Sequence, residues 1–441
     1  MAANTATVQD IAAPDGCANP IEPSSDSPRA SDESVLRNPA FLRILSVQLA
    51  ARLGEGIALV AMPLLVYGLT SSAELLSLIF VLQLLPRVIF APIAGMLADR
   101  LDRRRVIVVA DLARAVLAVS LVFADQPWQV AVVATLIALG STIAYPAEMA
   151  ALPMVVAPGQ LVQALSVSQV AASTIRVVGP TLAAGIVAAT APSPAFGVQA
   201  VCFLVSAAVA SGLRLPPVAR ALATSTGTAA AIRQEIADGL RLVWQNPIVR
   251  GTAVVEALWQ LVTATLVVAL LIFVEQTLRL GERSGAIFSL LTATVAGGMA
   301  VGSIVARAVE RRIGRPRLMA IGYLAPLLLI SAALHPPLPL LFAILFVFGF
   351  TDAWAVIAMQ TYLAEAVPDA MRGRAYAGWL GVVTFAGAIG FAIVGWMTPR
   401  LGPAATMAVI GLIVGIGGPL LLVVSGALAA IRAGKAAAVS V

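Results

Sequence analysis

Gly95-Met96-Leu97-Ala98-Asp99-Arg100-Leu101-Asp102-Arg103-Arg104-Arg105 separates two long apolar runs, 75–98 and 106–124. Each residue type here has a physical reason. Gly95 lets a neighbouring helix approach closely. Asp99 can accept hydrogen bonds at a helix N-terminus and pair with an arginine. The arginines hold a short loop on the cytoplasmic face of a bilayer. The stretch therefore predicts a tight inner turn between two membrane helices.

The same alternation runs along the whole chain. Its 441 residues are 60% hydrophobic before glycine is counted, and 11% are charged. Soluble domains reach about 45–50% apolar with glycine included and carry about 25% charge. That excludes an ordinary soluble enzyme, a disordered chain and, despite a net charge of +6, a nucleic-acid binder. The positive charges stand in short clusters between apolar runs rather than on one basic face. Two cysteines (Cys17, Cys202) and one histidine (His335) give no disulfide framework and no metal site. No metal or cofactor is expected, and His335, beside Pro336 and Pro337, reads as a loop residue.

Apolar stretches of helical length fall at 42–68, 75–98, 106–124, 128–149, 161–188, 195–213, 249–273, 284–306, 317–334, 338–362, 373–396 and 403–430. Each is long enough to cross a bilayer. With twelve spans, 21 Lys and Arg residues fall on one side and three (Arg279, Arg283, Arg400) on the other. The positive-inside rule then puts both termini in the cytoplasm. The reading is an all-α polytopic membrane protein of twelve transmembrane helices in two six-helix bundles, in a cell membrane of bacterial inner or plasma type. Residues 1–37 read as a disordered cytoplasmic tail, 38–213 and 249–430 as the two bundles, and 431–441 as a cytoplasmic tail. The 214–248 connection reads as a linker whose Ile232, Ile236, Leu240 and Val243 predict an amphipathic surface helix.

The halves repeat. Asn38-Pro39 before span one returns as Asn246-Pro247 before span seven, 208 residues on. Gly95 to Arg100 returns as Gly302 to Arg307 after 207 residues, and Pro158 as Pro368 after 210. Two inexact halves place a substrate path at their interface, near the midplane.

With these motifs in view, the chain resembles the major facilitator superfamily. The 95–105 stretch is similar to that superfamily's loop signature between helices two and three. The resemblance implies a conformational latch at Gly95, Asp99, Arg100 and Arg104, supported by Asp111, with Glu148 as a possible latch partner. The copy after span eight has Ala306 where Asp99 stands, implying a weaker second latch. Arg176-Val177-Val178-Gly179-Pro180 to Gly185 in span five resembles the superfamily's antiporter signature, with Ile175 in place of a further glycine. Gly179, Pro180 and Gly185 are thus implied in a helix bend and close packing. Leu85-Pro86-Arg87, Arg176 before Gly179, and Val367 to Arg374 resemble the branch of macrolide and enterobactin exporters.

Ionisable groups at membrane depth are costly and usually functional. Arg52 and Glu55 share a face of span one. Arg87, Arg176, Glu256 and Asp352 lie in other spans. Together these six are the candidates for proton coupling or the substrate path, with Glu55, flanked by Gly54 and Gly56, the first choice as proton carrier. An alternative for Glu55 is a static pair with Arg52. Tyr67, Tyr145, Trp259, Phe273 and Trp379 are candidates for a cavity wall or, more simply, for packing and the lipid interface. The chain lacks a phosphate-binding Gly-rich loop, which argues against ATP as the energy source. The resulting expectation is a non-enzymatic, monomeric, proton-coupled exporter of a small hydrophobic or amphiphilic compound, such as a drug, macrolide or siderophore. Its partners are protons, that compound and the bilayer. A metabolite importer or facilitator of the same fold is the alternative, and a non-transporting scaffold or sensor the remote one.

Overall fold

A computed structural model describes residues 35–157, 160–215, 243–366 and 372–425, with Ala237 and Arg241; side chains at 91–93, 95–100, 162, 282 and 364–377 are outside the description. All regular elements described are helical. They are α1 (Pro39–Thr70), α2 (Ala73–Arg100), α3 (Arg103–Val122), α4 (Pro127–Val155), α5 (Leu161–Ala189) and α6 (Pro192–Ser211). The second half holds α7 (Pro247–Leu278), α8 (Ser284–Ile313), α9 (Arg315–Leu334), α10 (Leu338–Ala366), α11 (Arg372–Leu401) and α12 (Pro403–Val424). The amphipathic helix expected at 230–245 and the tails fall largely outside the described residues.

Among the described residues, eleven helices are long and apolar enough to cross a membrane. The remaining one is α3, whose charges dilute its hydropathy. It nonetheless packs against α4 and α6 in the first bundle, because Asp111 and Arg114 satisfy each other inside it. Two helices depart from regular α geometry. α7 widens into π turns at Thr265–Ala269 and Phe273–Leu278. α9 tightens into a 3-10 helix from Ala325, just before Pro326.

The repeat is physical. Asn38 caps α1 by accepting from the backbone N–H groups of Ala40 (2.9 Å) and Phe41 (3.2 Å). Asn246 caps α7 in the same way, from Ile248 (2.9 Å) and Val249 (3.3 Å). Proline follows each cap at the first helical position, where its missing N–H costs nothing. Packing repeats as well: α1 with α5 and α6, α2 with α4, and α3 with α4 and α6 are matched by α7 with α11 and α12, α8 with α10, and α9 with α10 and α12. The halves meet through two equivalent pairs, α2 with α11 and α5 with α8.

The apolar core is distributed unevenly along the helix axes. One large cluster joins the halves, including Leu65, Leu76 and Phe80 of the first and Phe273, Phe288 and Phe391 of the second. Among the described residues, the ring stack, ion pair and hydrogen bond between the halves belong to the end carrying the α1–α2 turn. Phe80 stacks on Phe391 at 4.8 Å, Glu74 pairs with Arg400 at 3.0 Å, and Gln276 donates to the Tyr67 hydroxyl at 3.2 Å. Toward the other end the core divides. Phe41, Ile44, Ile107, Leu152 and Ala210 form a cluster wholly within the first half. Val249, Met359, Trp379 and Val383 form another within the second. Among the described residues, the halves are thus joined at one end, and the clusters toward the other end lie within single halves.

Candidate functional site

The first half holds a buried ionic constellation centred on Arg114, which is 1% exposed. One guanidinium nitrogen binds the carboxylate of fully buried Asp111, one turn earlier on α3. The other donates to Ser141 Oγ of α4 at 3.1 Å and reaches the Glu55 carboxylate of α1 at 3.4 Å. The guanidinium also lies 4.4 Å over the Phe203 ring of α6. Ser206 of α6 donates to Asp111 from its hydroxyl. Four helices therefore converge on one cation. A buried charge needs this much compensation, since an unpaired one costs several kcal/mol. Gly140 makes the room: a Cβ there would stand 2.8 Å from Arg114 Cγ.

Glu55 keeps one side open, with its side chain 37% exposed. Its position is fixed by the glycines beside it. Gly54 packs on Gln199 and Cys202 of α6, while Gly56 meets Gly179 of α5 almost backbone to backbone. A Cβ on Gly179 would stand 2.9 Å from Gly56 Cα. The Gly179-Pro180 step thus sets the α1–α5 crossing one residue from Glu55. Gly185 does not share that role, since a Cβ there would meet nothing within 4 Å.

Several candidates take positions the sequence did not suggest. Glu55 pairs with Arg114 of another helix rather than with Arg52, which instead lies 5.3 Å over the Tyr145 ring. Asp111 is not at the loop beside Arg104. It lies in the bundle interior, because Arg114 and Ser206 offer its carboxylate what the loop would. Glu148 is 4% exposed, and the charges of Arg114, Asp111, Glu55 and Arg52 all act on it. It makes no ion pair or hydrogen bond among the described residues. Arg87 is exposed on α2; Arg176 is exposed on α5 and donates to Ser173 Oγ at 2.8 Å. The side chains of Gly95, Asp99 and Arg100 are outside the description. Next to them, Asp102 caps α3 through the backbone N–H groups of Arg104 (3.0 Å) and Arg105 (3.3 Å). Arg104 itself is exposed.

Among the described residues, the second half holds carboxylates without a central cation. Asp352 of α10 is 7% exposed and its Oδ1 is buried without a hydrogen-bond partner. Glu256 of α7 and Asp352 lie near enough for their charges to act on each other and on Tyr323 of α9. Trp259 packs edge-on to Tyr323 at 5.6 Å and along Phe348 at 6.3 Å, closing this region in aromatic surface. Phe273 is fully buried beside His335, which is exposed at the end of α9. After α8, Arg315 pairs with Glu310 at 2.7 Å and lies over Tyr362, so the second arginine turn is tied within its own half.

Sequence reading finds Arg114 in span three, one turn beyond Asp111, without choosing it as a site residue, and misses Ser141, Ser206 and Gly140. The available signal was Asp111-Leu-Ala-Arg114, an acid and a base one turn apart inside an apolar run. Such a pair is expensive unless buried together.

Among the described residues, twelve long helices in two equivalent halves, with charges held at mid-span, define a multi-pass membrane transporter. Residues 44–309 and 261–437 match the Major Facilitator Superfamily, and the chain belongs to it. It is 30% identical over 395 residues to the multidrug efflux pump Tap of Mycolicibacterium fortuitum, covering 85% of this chain and 93% of that one. It is 34% identical over 120 residues to macrolide efflux protein A of Streptococcus pyogenes, covering 26% of this chain and 30% of that one. Its fold superimposes on the crystal structure of the nucleoside transporter NupG with a TM-score of 0.65 at 13% identity, covering 88% and 99% of the two chains. The relationship is of the efflux type and extends to more than one kind of efflux protein. The chain is a small-molecule transporter, not an enzyme.

Proposed function

We propose that this protein exports a small hydrophobic or amphiphilic compound in exchange for protons, by alternating access. The observation that carries this reading is the Glu55–Arg114–Asp111 constellation. It is a carboxylate half open to its surroundings, tied to a buried cation, on the helix that crosses α5 at Gly179-Pro180. Protonation of Glu55 would release its hold on Arg114, and deprotonation would restore it. Such an exchange couples one proton's occupancy to the packing of α1, α3 and α4. Buried Glu148 is a further acid of the first half, and Glu256 and Asp352 offer a second acidic region in the other half. Arg52 faces the path from α1, and Arg87 and Arg176 remain candidates on its flanks.

The positive-inside count supports a reading with both termini, and the end where the described clusters lie within single halves, on the cytoplasmic side. On that topology outgoing cargo would enter from the cytoplasmic side, where the described clusters lie within single halves. Closing that end would engage the 95–105 turn, with Gly95, Asp99, Arg100 and Arg104 as its latch. The relatedness to multidrug and macrolide efflux proteins supports export over import.

The test is accumulation of dyes and macrolides in everted vesicles carrying an inside-acid gradient. Uptake by wild-type vesicles that Glu55→Gln abolishes, at equal protein level, is the expected result. Uptake that survives both the substitution and collapse of the gradient would remove proton coupling from the reading.

A further inference from the structure

Toward the end where the apolar clusters lie within single halves, α1, α4 and α5 enclose a small pocket beside Arg52. Its polar lining comes from Gln48, Arg52, Tyr145, Ser168 and Gln169, and no lining residue is a carboxylate. Two of these side chains are buried with unmet hydrogen-bonding capacity. Gln48 is 3% exposed and its Nε2 has no partner; Ser168 is 9% exposed and its Oγ has none. Arg52 holds its guanidinium over the Tyr145 ring and makes no ion pair or hydrogen bond among the described residues. Glu55, the acid nearest to it along α1, is paired with Arg114, and buried Glu148 of α4, which precedes Met149 of the lining, is the other carboxylate that its charge acts on.

The chemistry of this lining is biased. It carries one cation and no carboxylate, while its carboxamides and hydroxyls can donate as well as accept, with Gln48 Nε2 an unmet donor. Leaving such donors unpaired in a buried place costs about 1–3 kcal/mol each, which a complementary ligand recovers. The opposite wall is apolar, formed by Leu49, Met149 and Leu152 among others. The space is about 70 Å³, so it takes only one end of a ligand, and the end that suits a cation beside an apolar wall is acceptor-rich and negatively charged, with the apolar body outside it. We propose that this pocket binds the oxyanion of the exported compound, so that the cargo class is an amphiphile bearing a carboxylate or comparable oxyanion. The inference rests on the export reading for the word cargo, but the binding chemistry stands apart from proton coupling.

Binding can therefore be measured without a gradient, on the purified full chain in lipid nanodiscs. Three probes share one apolar body: 1-pyrenebutyrate, its methyl ester and 1-pyrenebutylamine. Fluorescence titration is expected to give wild-type affinity for the carboxylate about tenfold above the other two, the scale of a charge-assisted contact. Arg52→Gln should erase that preference while leaving the ester and amine within about twofold, and Arg52→Lys should keep part of it. Gln48→Leu and Ser168→Ala carry the same test if Arg52→Gln does not fold, each weakening the carboxylate alone. Equal binding of amine and carboxylate by wild type, no binding of the carboxylate, or parallel loss of all three probes in these variants would overturn the assignment. Vesicle flux lost with Glu55→Gln while these titrations fail would leave export standing and remove only the oxyanion site.

Discussion

Arg114 reaches across from α3 to the Glu55 carboxylate of α1 at 3.4 Å, while its second terminal nitrogen is committed to Asp111. Removing the cation strands Asp111 in the interior. Arg114→Gln should therefore lower stability by about 3–5 kcal/mol, the cost of breaking a buried pair. Removing both charges with residues of similar volume, as in Asp111→Leu with Arg114→Met, should recover most of that loss. Thermal unfolding of purified protein in one detergent decides it. A double variant no better than the single would mean that Asp111 is not what Arg114 stabilises.

The α1–α5 crossing gives a sharper contrast. Gly179→Ala puts a methyl group 2.9 Å from Gly56 Cα, where backbone must yield. Overpacking of this kind costs about 1–3 kcal/mol, and it displaces the helix that carries Glu55. Transport should fall with stability. Gly185→Ala, with open space around it, should change neither by a measurable amount. The comparison is made by vesicle uptake normalised to folded protein.

Asp352 offers a prediction of opposite sign. Its Oδ1 is buried without a partner, and Glu256 adds a like charge. A buried acceptor left unmet costs about 1–3 kcal/mol. Asp352→Leu should raise the unfolding midpoint even as it reduces transport, the trade-off expected where function keeps an unfavourable group. A lowered midpoint would assign Asp352 to structure instead.

At the joined end, Glu74 and Arg400 pair through half-exposed side chains. Such pairs contribute about 0–1 kcal/mol, so Glu74→Gln should barely move the unfolding midpoint. Phe80→Ala removes the stack on Phe391 between the halves and should open this end more often. Ser77→Cys, at a position 2% exposed and facing Gly395 of α11, should then react several-fold faster with a membrane-impermeant thiol reagent in Phe80→Ala than in Glu74→Gln. Equal rates would show that the ring stack does not hold this end closed.

The architecture was legible because bilayers impose strong rules. Apolar length marked the spans, arginine alternation marked their number, and the Asn-Pro repeat marked helix starts that both proved to be capped alike. α3 was recovered from the same pattern although its charges weaken its hydropathy. The candidate site was legible in part. A carboxylate between Gly54 and Gly56 at mid-span advertises itself, and Gly179-Pro180 advertises a close crossing. The partner of Glu55 was not readable. Helical spacing offers Arg52 at i and i+3, but three-dimensional packing supplies Arg114 from 59 residues away. Nor could spacing reveal that Gly140 leaves a socket for that arginine. These are contacts between distant segments, and one sequence records no trace of which segments meet.

The division of the apolar core also bears on inhibition. Cargo is proposed to enter where the apolar clusters lie within single halves, while the seam around Phe80 and Phe391 lies at the opposite end. A compound that wedged into or clamped this seam would arrest the cycle without occupying the entry route. Raising the cargo concentration would not displace it, so its blockade would be non-competitive. Resistance to it would arise by substitutions on α2 and α11 that leave cargo recognition untouched.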